Sequence, residues 1–401
     1  NAINEKNALQ LQYYYNFSDK EERYSELILA EPLADNFILD VNADIKTERH
    51  NLELTHFIYP NDSLKFVWGL SAQADYVQSA LYLGTDEKIK QNQYRGFVNI
   101  EWDINSSNTI NVGGLVEKND YSDAELSPRL SLIHAFNQQH KVRIGISRAI
   151  RSPFTYESLG EFSYSQELTS GGAPTFTLLE NVIRGNTELK NEKITSHEIV
   201  YLGAFMNSSL LFNARLFYDV VDDYIDTIKE EDTNDDPNII LYDDVVLVFQ
   251  NPINSTTQGL ELELDYRIDP SLRIIASGAV LNITSNSEAT SLSVPRHSFS
   301  LLASKQFNEK YNGSLGYYFV DQFKWMDARP SSDGKYSTDD YHTIDMRLSR
   351  NLKFSSTDGS ISLVLKNLLD DYSDYQRQPS NSTAPVVIQN TTAYIDLRLR
   401  F

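Results

Sequence analysis

The segment AYIDLRLRF (393–401) sets Ala393, Ile395, Leu397, Leu399 and Phe401 on one side of an extended chain and Tyr394, Asp396, Arg398 and Arg400 on the other. Side chains alternate across a β-strand, so one face here is apolar and the other charged. GLELELDY (259–266) repeats the pattern, with Leu260, Leu262, Leu264 and Tyr266 opposed to Glu261, Glu263 and Asp265. So does HTIDMRLSR (342–350), with Ile344, Met346 and Leu348 against Asp345, Arg347 and Ser349. Earlier stretches follow suit: Leu9, Leu11, Tyr13, Tyr15; Leu64, Phe66, Trp68, Leu70; Val98, Ile100, Trp102, Ile104; Val142, Ile144, Ile146.

A soluble β-sandwich alternates too, with shorter strands and turns every 8 to 12 residues. Here residues 39–58 read as one long extended segment, and the connections alternate in length. Tight, turn-rich links fall at 60–63, 105–108, 137–140, 207–209, 269–271, 308–311 and 355–359. Longer polar links fall between them at 17–36, 76–93, 151–193, 222–255, 321–341 and 370–391. Short turns on one side and long loops on the other are the signature of a transmembrane β-barrel. The spacing predicts an all-β fold, an antiparallel transmembrane barrel of about sixteen strands.

Composition narrows the choice. The 24 Tyr and 19 Phe favour strands and aromatic surfaces. The absence of Cys removes disulfides, thiolate metal sites and cysteine nucleophiles. No stretch approaches the roughly 18 consecutive apolar residues of a membrane helix. A net charge of −21 argues against a nucleic-acid partner. Any export signal lies outside these residues. Aromatics near strand ends, namely Tyr59, Trp102, Phe136, Phe154, Tyr218, Phe307 and Phe401, fit interfacial girdles.

Four stretches carry a resemblance to the TonB-dependent outer-membrane receptors, over the C-terminal part of their barrel. SPRLSLIHAFNQQHKVRIGISRAIRSPF (127–154) resembles paired strands ending in an Arg-x-Pro-Phe-like exit. NTELKNEKITSHEIVYLG (186–203) is similar to the family's Asn-Pro-x-Leu-x-Pro-Glu strand start, with Thr187 and Asn191 in place of both prolines. QNPINSTTQGLELELDYRI (250–268) resembles the long strand after a large loop. LVLKNLLDDYSDY (363–375) with the strand ending at Phe401 resembles the family's end. The resemblance implies a 22-stranded barrel, a plug and a short box that recruits the TonB complex. Residues 1–401 then form a partial barrel domain, the plug and first strands being absent from it.

On the same footing the chain is expected in the outer membrane of a Gram-negative bacterium, as a monomer among outer-membrane lipid and lipopolysaccharide. The barrel-assembly machinery would read Phe401. The ligand would be a large nutrient: an iron-siderophore, cobalamin or oligosaccharide. A passive porin is the alternative. No catalytic motif is present: Gly-x-Ser-x-Gly, His-Glu-x-x-His and the phosphate loops are all missing. The scattered His residues, including His56, His134 and His297, suit strand-lining roles. Asp232, Asn234 and Asp236 resemble a calcium loop faintly, but Pro237 stands where the turn needs Gly. No cofactor is expected, with calcium bridging of acidic loops left open. Ligand contacts are expected from loop and upper-lumen aromatics, Tyr156, Phe162, Tyr164, Phe176, Tyr242, Phe323, Trp325 and Tyr375. Asp345, Arg347, Asp396, Arg398 and Arg400 are expected to face the lumen, pairing along the wall.

Overall fold

A computed structural model describes residues 2–400 apart from 5, 30–35, 171–172, 235, 237, 242, 325–337, 354–357, 370 and 373–387. One sheet joins 20 strands. Setting aside Ala2–Asn4, Ile239–Leu241 and the hairpin Glu161–Ser170 with Ala173–Arg184, the described residues form a row of sixteen antiparallel wall strands, each paired to the next in chain order. They are β1 (Asn7–Lys20), β2 (Ile45–Asn61), β3 (Leu64–Ser79), β4 (Thr85–Asn105), β5 (Asn108–Asn119), β6 (Glu125–Ala135), β7 (His140–Arg151) and β8 (Glu192–Phe205). The row continues with β9 (Leu210–Glu231), β10 (Val245–Asp269), β11 (Leu272–Ser285), β12 (His297–Gln306), β13 (Tyr311–Val320), β14 (Tyr341–Lys353), β15 (Asp358–Lys366) and β16 (Thr392–Arg400).

The register lines up the apolar face. Leu64, Trp102, Ile110, Leu132, Ile144, Ile199, Leu216, Leu260 and Val280 stand opposite one another across β3 to β11. This band is open to the surroundings: Ile144 is 53% exposed, Leu216 55% and Val280 52%. Among the described residues the buried apolar cluster is small, Val41 and Ala43 at the end of the strand Asn36–Asn42, while Asn51, Gln73, Glu117, Thr343 and Ser362 are buried on the opposite face of the wall. Apolar outside and polar inside inverts the order of a water-soluble protein. It is the order that hydrocarbon outside and an aqueous lumen inside impose. The fold is an antiparallel transmembrane β-barrel.

Inside, many charges pair across strands. Arg143 Nη2 meets Glu198 (2.8 Å), Glu198 meets Arg215 Nε (3.1 Å), and Arg215 Nη1 meets Glu261 (3.0 Å), a chain of alternating charge over β7 to β10. Arg49 donates to Asp75 (2.6 Å) and Arg95 to Glu117 (2.5 Å) in the same manner.

The tight turns share one device. At five of them an Asn or Asp accepts the backbone N–H two residues on: Asn61 from Ser63, Asn105 from Ser107, Asn137 from Gln139, Asp269 from Ser271 and Asn308 from Lys310, at 2.6–3.0 Å. A short acceptor side chain replaces a backbone partner, which is why these residues punctuate the sequence there.

Two expectations need correction. The single segment over 39–58 is broken at Ala43 and Asp44: Asn36–Asn42 pairs with Arg23–Leu29 in a separate hairpin, and β2 starts at Ile45. Several stretches read as long loops are strand. β4 runs 21 residues, β9 22 and β10 25, so the link between β3 and β4 shrinks to the helix Ala80–Leu83 and Gly84. Backbone pairing is satisfied above the membrane as well as within it, so the ladder continues where lipid-driven alternation stops.

The hairpin supplies a pH-dependent expectation. Arg23 donates to Asp44 Oδ2 at 3.1 and 2.6 Å, and this bond holds the Asp44 carboxyl below the ordinary carboxylate range. A lowered acid contributes fully above its unfolded value of about 4 and loses that contribution as pH falls further. Asp44→Asn should reproduce the acid effect at pH 7, speeding limited proteolysis of the hairpin over 23–42 severalfold. Equal nicking of variant and wild type at pH 7 would refute it.

Candidate functional site

The upper, long-loop end of the barrel carries a cleft of about 630 Å³. Asn16, Thr47, Arg49, Asp75 and Gln91 form its wall on the lumen side, and Tyr82, Leu83, Phe154, Thr155 and Tyr156 form its roof. The wall residues come from β1 to β4, where the same faces that point inward below continue upward. The roof comes from two short helices, Ala80–Leu83 and Thr155–Leu159.

Each helix is placed by its ends. Gly84 closes the first with φ 63°, a left-handed value that glycine adopts without strain. The second follows Pro153 and is capped by Glu157, which accepts the Phe154 N–H at 2.8 Å. Beyond it Gly185 N–H donates to Gly160 O at 2.6 Å, and a side chain at Gly185 would collide with the backbone of Leu159 and Gly160. The loop hairpin therefore returns close above the cleft.

Three of the aromatics expected from sequence converge here. Tyr156 meets Tyr82 edge-on (6.0 Å between centroids), Phe162 lies 5.4 Å from Tyr82, and Tyr164 lies 5.0 Å from Phe162. Phe249, 5.8 Å from Tyr156, completes the group. Tyr82 and Phe249 were not singled out from sequence, since both sit in links read as polar loops, 76–93 and 222–255. Burial pushes the Tyr156 phenol up to about 12, so it stays protonated and able to donate. Tyr164 also packs against Val41 and Ala43, so part of the group fastens loops together.

The other expected contacts are elsewhere. Phe323 O accepts the Thr338 N–H at 2.8 Å, away from the cleft. Phe176 stands opposite Leu168 in the hairpin Glu161–Ser170 with Ala173–Arg184, where only its backbone is described. Tyr242, Trp325, Tyr375 and Phe401 lie outside the described residues. Of the wall charges, Asp396 accepts from Arg398 Nε (2.9 Å) and faces Arg347 (3.7 Å), while Asp345 accepts the Asn367 N–H (2.9 Å) and not an arginine. Arg347 also donates to Ser362 (2.8 Å). Arg400 pairs through its backbone with Asp358, and its side chain lies outside the description.

The acidic loop is occupied by its own partners. Asp232, 4% exposed, accepts from Arg184 (3.0 Å) and Asn181 (2.8 Å), and Asp236 caps Asn238 (2.9 Å). Among the described residues no three His, Cys, Asp or Glu side chains converge as metal ligands. Six histidines sit beside aromatic rings of the apolar face: His50 with Tyr13 and Tyr15, His56 with Trp68, His134 with Phe136, His140 with Tyr201, His197 with Tyr218, and His342 with Tyr317 and Phe319. They share the outer face with Trp102, Phe136, Tyr218 and Phe307, aromatics expected at the membrane interfaces. Phe154, expected there too, instead stacks under Arg151 at 5.0 Å beside the cleft.

Two stretches read separately in the sequence join below the roof. Arg151, from the Arg-Ser-Pro-Phe exit, donates twice to Glu192 (2.5 Å each) and once to Glu157 (2.9 Å). Glu192 ends the Asn-Thr-Glu-Leu-Lys-Asn-Glu stretch and also accepts the Ile225 N–H at 2.8 Å. The pair ties β7 to β8 and β9 where the chain leaves the wall.

Comparisons with known proteins agree with this architecture. A family model described as "TonB dependent receptor-like, beta-barrel" matches residues 2–368. No curated protein matches. Among solved structures, a mutant of the ferric enterobactin receptor PfeA from Pseudomonas aeruginosa superposes with a TM-score of 0.70 at 13% identity, over 98% of this chain and 59% of that one. The siderophore receptor PirA from Acinetobacter baumannii gives 0.67 at 15%, over 98% and 59%. The ferric-catecholate import receptor Fiu from Escherichia coli K12 gives 0.65 at 12%, over 99% and 62%. The chain therefore spans about three-fifths of each of these receptors.

Proposed function

This chain belongs to the TonB-dependent receptor β-barrel family, and on that premise we propose that it is the barrel wall of an outer-membrane receptor that takes up a large nutrient. A ferric siderophore with aromatic iron-binding groups is the foremost candidate. The observation that carries this reading is the aromatic group over the cleft, Tyr82 and Tyr156 in its roof with Phe162 and Phe249 packed against them. Flat rings stack on flat rings. The solved receptors of like fold that bind ferric enterobactin or catecholates support the same choice of ligand.

Energy would reach the barrel through TonB and a plug in the part of the receptor that this chain does not span, within a barrel of 22 strands. Outer-membrane lipid and lipopolysaccharide would surround it, and the assembly machinery would read its C-terminal aromatic. No covalent chemistry and no resident cofactor enter the proposal.

The test is growth of a strain lacking the full-length gene on a panel of ferric chelates as sole iron source. Wild-type gene should restore growth on at least one catecholate in a TonB-dependent manner. Tyr82→Ala with Tyr156→Ala should lower uptake of that chelate at least tenfold. Uptake that persists without TonB would refute the receptor reading in favour of a passive porin.

A further inference from the structure

Among the described residues, Arg49 is the one cation in the lining of the cleft, and it is already matched. Its Nε donates to Asp75 Oδ1 at 2.6 Å and its Nη2 to Asp75 Oδ2 at 2.9 Å, a two-pronged bond between β2 and β3. The other acid of the lining, Glu48, accepts from Lys88 at 2.7 Å. Lys88 and Lys90 belong to the opposite face of β4 from Gln91, where they lie over the Tyr76 ring at 4.6 and 5.9 Å. The remaining polar lining is neutral, including Asn16, Thr47, Gln91 and Thr155.

The pair is fixed from beneath. Gln73, 9% exposed, donates to Asp75 Oδ2 at 2.8 Å and accepts from Asn51, itself 5% exposed, at 3.3 Å. These amides hold the carboxylate that holds the guanidinium. A planar fork meeting both carboxylate oxygens is a strong and specific arrangement, and its two charges largely cancel toward anything that enters the cleft. A lone guanidinium would instead attract an anion in proportion to the anion's charge, over the roughly 8 Å that physiological salt leaves unscreened.

We propose that Asp75 is a specificity-determining residue for uptake: by holding Arg49 it keeps the wall of the cleft neutral and turns the receptor toward ferric chelates of low net charge. Stacking beside Tyr82 and Tyr156 selects aromatic iron-binding groups, and the neutral wall discriminates among such chelates by charge. Iron(III) bound by three catecholates is a trianion; bound by one catecholate and two hydroxamates it is a monoanion. The monoanion is the class that this cleft takes. The inference rests on the ferric-chelate reading above and adds to it the charge that the chelate bears.

Dissociation constants of the full-length receptor for these two ferric chelates, measured by radioiron binding on the same preparation, test it through their ratio. Wild type should bind the monoanion at least tenfold more tightly than the trianion. Asp75→Asn, which leaves Arg49 unopposed, should shift the ratio at least tenfold toward the trianion, and Arg49→Gln should shift it the other way. Arg49→Gln with Asp75→Asn, neutral again, should return it to the wild-type value. A pair that served the fold alone would weaken both chelates alike, so an unmoved ratio in Asp75→Asn, or a wild type that prefers the trianion, would overturn the proposal while leaving the uptake reading intact. Binding of neither chelate by the wild type would bring down both.

Discussion

Arginine in place of Ile199 is expected to cost about 2–4 kcal/mol of folding free energy in lipid vesicles, the price of a guanidinium near the bilayer midplane. Ile199 lies between Ile144 and Leu216 in the apolar row and is 48% exposed, so hydrocarbon is what it touches. Leu202 is the control. It lies three residues away on the same strand, is 47% exposed, and lines a lumen cleft with Lys141, Asn213 and Glu263. Leu202→Arg should change stability by less than about 1 kcal/mol, since a lumen-facing substitution meets water and carboxylates. Reversible denaturant titrations of the refolded proteins would measure both. Equal costs at the two sites would defeat the assignment of the faces, and the barrel reading with it.

Arg151→Leu should be the most damaging change outside the membrane band. Its side chain is 33% exposed, while Glu192 and Glu157 are 12% and 14% exposed. Removing the shared cation leaves two half-buried carboxylates facing each other without a counter-charge. Loss of one partner from a fully buried pair costs about 3–5 kcal/mol, and partial exposure reduces the expectation here to about 2–3 kcal/mol. Because Arg151 also fixes Glu157, which caps the roof helix, ligand affinity should fall along with stability. The double variant Arg151→Leu with Glu192→Leu should cost less than the sum of the single changes, since each removes the other's uncompensated charge. Unchanged stability of Arg151→Leu, or strict additivity in the cycle, would show that the pair is not the anchor described.

Both predictions depend on facts of different visibility in the sequence. The face of Ile199 was legible from Val142, Ile144, Ile146 and their kin, because a two-residue period allows only one apolar side. The turns were legible because Asn and Asp supply their own acceptor where a backbone one is missing. Arg151 and Glu192 could each be seen in a stretch resembling the receptor family, yet nothing local says that residues 41 positions apart share two hydrogen bonds. Tyr82 escaped notice for a similar reason: its neighbours are Leu81 and Leu83 in a four-residue helix with no periodicity to mark it.

The sequence by itself determined the wall: all-β, antiparallel, apolar toward lipid and charged toward the lumen, with its turns in place. Those properties are local, set by the alternation of side chains and by residues at most a few positions apart. Only the tertiary structure decided how far the strands climb above the membrane, which aromatics meet over the cleft, and which acid each arginine finds. Those outcomes depend on register between strands and on loops folding back across many residues, and a linear pattern carries no record of which distant side chains such a closure brings within hydrogen-bond reach.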